Sequence, residues 1–78
     1  MNDMRTLRLA AGYRLTVTAD ATSRGTVCLI RDGGEPGTPL PVASGTSVTI
    51  EPDSLLDRVY RVDSADGLLK YTTEKPKP

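Results

Sequence analysis

The sequence predicts an all-β fold: a small β-sandwich or partly open barrel of six to seven short antiparallel strands, built around a repeated hairpin. Three observations carry that expectation. Apolar and polar residues alternate with a period of two, the spacing of a half-buried strand. Glycine, proline and short polar clusters punctuate the chain at close intervals, as in small β domains. Residues 9–17 and 42–50 follow one plan, 33 positions apart: an apolar residue, a small-residue turn with glycine, then a β-branched strand. Each copy leads to an aspartate, Asp20 or Asp53, where a side-chain oxygen can start a turn.

In chain order, Leu7 and Leu9 alternate with Thr6 and Arg8, and a turn follows over residues 10–12. Tyr13, Leu15, Val17 and Ala19 then alternate with Arg14, Thr16 and Thr18. Residues 20–25 form a polar connection and 26–31 the next strand. Residues 32–39 hold three glycines and two prolines, so they form the longest loop. The second copy supplies a short strand over 40–42, a turn over 43–45 and a strand over 46–51. Residues 52–57 connect to a strand over 58–63, with room for one helical turn over 54–58 capped by Asp53 or Ser54. A hairpin loop over 64–67, with Gly67 supplying a positive φ, leads to a last strand over 68–73.

The chain has 78 residues and forms one domain, with an N-terminal arm over 1–4 and an extended tail over 74–78. A body of this size buries only roughly 60–65% of its unfolded surface, so its core needs a supplement. One cysteine cannot make an internal disulfide, and without histidine the usual zinc ligands are missing. Oligomerisation or docking on a larger body remains. The 10 basic and 10 acidic side chains balance, which leaves no basic excess for nucleic acid. No apolar run suits a signal peptide or a membrane span, and manufacture in the cytoplasm is expected.

Reactive chemistry is sparse in the sequence. Without histidine the familiar Ser-His and Cys-His pairs cannot be assembled. Cys28 lies in an apolar strand, where a thiolate is disfavoured. Asp20 and Asp53 read as turn formers rather than calcium ligands, because a calcium site needs six to eight oxygens. The glycine-rich loop lacks the Lys-Ser/Thr ending of a phosphate cradle. These readings imply no enzyme, no metal and no cofactor.

The candidate contact residues come from strand parity and loop composition. The repeat aligns Val27 and Leu29 with Tyr60 and Val62, which face inward. Cys28, Ile30 and Val59 then fall on the opposite face, either covered within the chain as on a central strand or forming a subunit-contact patch. Gly33, Gly34 and Glu35 mark an exposed loop. Lys75 and Lys77 alternate with prolines in a tail suited to an acidic neighbour.

The stretches over 15–21 and 57–64, with 67–71 near the end, resemble small all-β proteins encoded among bacteriophage head genes. That resemblance implies a virion structural role. The expected function is that of a capsid decoration or cement protein bound to the outer capsid lattice and stabilising it. Its partners would be the major capsid protein or other virion subunits, together with further copies of itself. A tail, fibre or head–tail junction module and a small intracellular inhibitor of a host protein are the alternatives. The family has no catalytic positions to carry over.

Overall fold

A computed structural model describes residues 3–76. Seven strands follow one another: β1 (Asp3–Leu9), β2 (Arg14–Thr18), β3 (Arg24–Ile30), β4 (Leu40–Val42), β5 (Ser47–Ile50), β6 (Arg58–Asp66) and β7 (Lys70–Glu74). They form two antiparallel sheets, one ordered β1-β6-β3-β4 and the other β5-β2-β7. The expected all-β class and strand number are therefore observed. Between the sheets lie Leu9, Leu15, Val17, Ala19, Val27, Val42, Val62 and Leu69. Leu7, Val48, Ile50, Tyr60 and Tyr71 pack against it partly buried, so alternate strand residues face inward and the period-two pattern recurs along the chain.

The 33-residue repeat is a true structural symmetry. The mates Thr16 and Thr49 lie directly opposite one another across β2 and β5. Cys28 and Arg61, also mates, lie opposite one another across β3 and β6. One pseudo-twofold axis passing through both pairs exchanges β1 with β4, β2 with β5 and β3 with β6. The two turns obey it as well. Gly12 and Gly45 take φ of 83° and 76°, and Tyr13 N–H and Thr46 N–H donate to the Ala10 and Ala43 carbonyls at 3.0 and 3.1 Å. Gly12 N–H then donates to the Asp53 carbonyl (2.7 Å) and Gly45 N–H to that of Asp20 (2.9 Å), so each copy ties down the other.

The element ends correct several expectations. Asp3 and Met4 pair with Ser64 and Asp63, so they belong to β1 rather than to a free arm; Met1 and Asn2 lie outside the described residues. β6 runs on through Ser64, which was expected in the hairpin loop. Ser64 points into the core with no exposure, and its Oγ accepts the Leu69 N–H at 2.9 Å, which satisfies it there. Glu74 pairs with Arg14 within β7, leaving Lys75 and Pro76 as the described part of the tail. No helical turn forms over 54–58. The Asp53 carboxylate accepts N–H bonds from Leu55 (2.8 Å) and Leu56 (3.0 Å), holding a tight turn in its place.

Candidate functional site: an apolar cleft at the sandwich edge

β7 has no repeat mate. Positions 33 residues before it fall in residues 37–41, the approach to β4, which already answers to β1. β7 adds to the free edge of β2 and packs beneath β1. There the Arg5 guanidinium donates to the Leu69 carbonyl and sits over the Tyr71 ring, 5.3 Å from its centroid. The symmetry-equivalent position, along β5 and beneath β4, carries no strand among the described residues.

A cleft of about 400 Å³ occupies that position. Val27, Leu29 and Tyr60 from the four-stranded sheet, Leu40 from its edge strand and Ile50 from β5 line its walls, with Arg31, Gly37 and Thr38 at the mouth. Side chains that the repeat builds for a closed core are left half open. Val17 and Val62 are wholly buried, whereas their mates Ile50 and Leu29 are only partly covered. Leu40 keeps 45% of its surface exposed. Tyr60 is half-buried at the wall, and loss of hydration raises its phenol pKa above the usual value.

The groups beside the cleft are held by ionic ties. Arg58 donates from Nη2 and Nε to Asp53 Oδ2 at 2.6 and 3.2 Å. These bonds, with those from Leu55 and Leu56, lower the Asp53 pKa to about 2. The matching carboxylate, Asp20, accepts bonds from the Ser23 hydroxyl (2.8 Å) and from the backbone and hydroxyl of Thr22 (2.8 and 2.9 Å). Its pKa is lowered by the Ser23 bond first and the Thr22 bonds next. Both aspartates thus act as turn formers. Among the described residues no cluster of three metal-ligating side chains occurs.

Of the described sequence-derived contact residues only Cys28 borders this cleft; the others lie elsewhere. Ile30 and Val59 face one another across β3 and β6 on the outer face, each partly exposed. Cys28 shares that face but is only 2% exposed, so of its two readings the covered residue fits and the open contact does not. It is a small side chain between larger same-face neighbours, Arg61 opposite and Thr26 and Ile30 along the strand, and it sits below their envelope. Gly33, Gly34 and Glu35 form the exposed tip of a hydrogen-bonded hairpin. Arg31 N–H donates to the Glu35 carbonyl at 2.8 Å and Gly37 N–H to that of Leu29 at 2.6 Å. Lys75 follows β7 in the other sheet, and Lys77 lies outside the described residues.

Strand parity marks Val27, Leu29 and Tyr60 only as inward-facing and does not set Leu40 or Ile50 apart as contacts. The signal for the cleft lies in the repeat: 33 residues separate every strand from its mate except the last, so one flank of the sandwich has to lack a strand. No family model, curated relative or solved structure matches the chain. No helix among the described residues is long and apolar enough to cross a membrane.

Proposed function

We propose that the protein is a non-enzymatic phage virion structural protein, a capsid decoration protein that binds and stabilises the outer capsid lattice. The observation that supports an associating role is the apolar cleft along β5, with wall residues the isolated subunit leaves half covered. Open apolar surface of this kind marks a contact site in a small domain. Leu55 and Leu56, on the turn after β5, are exposed as well, at 84% and 58%. The virion assignment rests on the resemblance of residues 15–21 and 57–64 to phage head proteins. Its partners would be the major capsid protein and neighbouring copies of this chain.

Quantitative mass spectrometry of purified particles tests the reading. A copy number comparable with that of the capsid subunit is expected. Absence from particles, or a handful of copies per particle, overturns the decoration role.

A further inference from the structure

We propose that the cleft along β5 receives an extended strand donated by another polypeptide, with a large apolar residue opposite Ile50 and a basic residue next to it opposite Glu51. The inference deepens the reading of the cleft as a contact site and is independent of whether the partner is a capsid protein. β7 is the guide, because it occupies the equivalent place on the other flank. There Tyr71 lies opposite Val17 and Lys70 opposite Thr18. The pseudo-twofold carries Val17 to Ile50 and Thr18 to Glu51. An occupant that follows β7 therefore sets an aromatic or large aliphatic side chain into the cleft beside Leu40. Its neighbouring lysine meets the Glu51 carboxylate, which is 72% exposed and held within the chain only by a 3.5 Å contact from Arg14, a guanidinium it shares with Glu74.

Two other occupants are disfavoured on geometry. The chain's own β7 is tethered to β6 by residues 67–69, which span at most about 11 Å when extended. To pair antiparallel with β5 in the empty place, β7 would have to reverse its direction and begin at the opposite end of the sandwich, beyond the reach of that link. A second copy pairing its β5 against this β5 has to set its β4 over this chain's β5, since the empty place lies beneath β4. The space over β5 already holds β3. A lone extended segment meets neither obstacle, and strand addition to an open edge is an established mode of peptide recognition.

The two flanks differ at one end, which limits the donated strand. Gly25 has no side chain, and a Cβ there would strike the Leu69 side chain and the Asp63 carbonyl. The mate of Gly25 is Arg58, which is tied to Asp53. The empty place is accordingly closed at the end that corresponds to Leu69 and open opposite Ile50 and Val48.

The test uses the full 78-residue chain, ¹⁵N-labelled, titrated with a synthetic peptide matching residues 68–75. Saturable amide shifts are expected over 47–51 and at Leu29 and Leu40. Leu40→Glu, an exposed edge position, should leave the spectrum folded and weaken binding about tenfold or more. Replacing the peptide's lysine opposite Glu51 by glutamate should weaken it by a smaller, salt-dependent factor. No saturable shift up to millimolar peptide overturns the proposal. Shifts confined to β2, β7 and Arg5 do so as well, since they report exchange with the native β7. Copy number in particles is a separate measurement, so failure here leaves the virion reading to its own test.

Discussion

Val62 and Leu29 are repeat mates on opposite sides of the pseudo-twofold, and truncating each to alanine measures whether the cleft is open in solution. Val62 has no exposed surface. Val62→Ala deletes two carbons, about 1.6 kcal/mol at roughly 0.8 kcal/mol per buried methylene. The closed void of about 50 Å³ left behind adds on the order of 1 kcal/mol. Leu29→Ala deletes three carbons, but from a half-buried side chain at the wall of the cleft. Its transfer loss is about 1.2 kcal/mol, and no closed void forms because the space already opens to water. The smaller deletion should therefore be the more damaging by roughly 1.5 kcal/mol. Urea unfolding followed by circular dichroism should place the Val62→Ala midpoint about 1 M below that of Leu29→Ala, with equal slopes. Equal midpoints, or Leu29→Ala the less stable, would refute the reasoning by showing that Leu29 is as fully enclosed as its mate.

The remaining predictions concern the groups that set the frame. Gly25→Ala should cost more than about 3 kcal/mol and leave little folded protein at 37 °C by amide exchange, since a Cβ there collides with the Asp63 carbonyl of the neighbouring strand. Ser64→Ala orphans the buried Leu69 N–H and should lower stability by about 1–3 kcal/mol, whereas Ser64→Thr, tested by the same melts, keeps an acceptor. Asp53 is depressed to about 2 from its ordinary 3.8. Its contribution is present in full above about pH 4 and lost as the pH falls toward about 2. The gap in melting temperature between wild type and Asp53→Asn should be constant from pH 7 to about 4 and close below that; a gap unchanged at about pH 2 would contradict the assignment.

Legibility of the fold in the sequence followed the physics of each element. Alternation over Leu15 and Val17, and again over Val48 and Ile50, shows which residues are interior because a strand exposes opposite faces in turn. The Gly12 and Gly45 turns are equally plain, since each requires a positive φ. Ser64 misled because a buried hydroxyl looks like a loop residue until its partner, the Leu69 N–H, is seen. Cys28 was legible only as a choice between a covered residue and a contact. Parity gives the face of a side chain but not how far larger neighbours on that face close over it. The cleft was the least legible feature, because Val27, Leu29 and Tyr60 have the pattern of core residues, and only sheet topology reveals that β7, which borders β2, has no second copy along β5.

Why β7 takes the β2 flank and leaves the β5 flank open follows from connectivity and one residue pair. β6 neighbours β1, so a three-residue link delivers the chain beneath β1, beside β2. The equivalent exit from β3 instead enters the Gly33–Gly34 hairpin. That hairpin turns back along β3 through the Ile30–Pro36 bridge and delivers the chain to β4 in the same sheet. Gly25 then makes room for Leu69 where its mate Arg58 reaches toward Asp53. A glycine on one flank and an ion-paired arginine on the other thus convert a pseudo-symmetric framework into a molecule with one closed side and one receptive side. If that account holds, Arg58→Gly should lengthen the cleft toward the Leu69-equivalent end and tighten binding of the peptide matching residues 68–75. Unchanged affinity in that variant would mean that Arg58 does not bound the site.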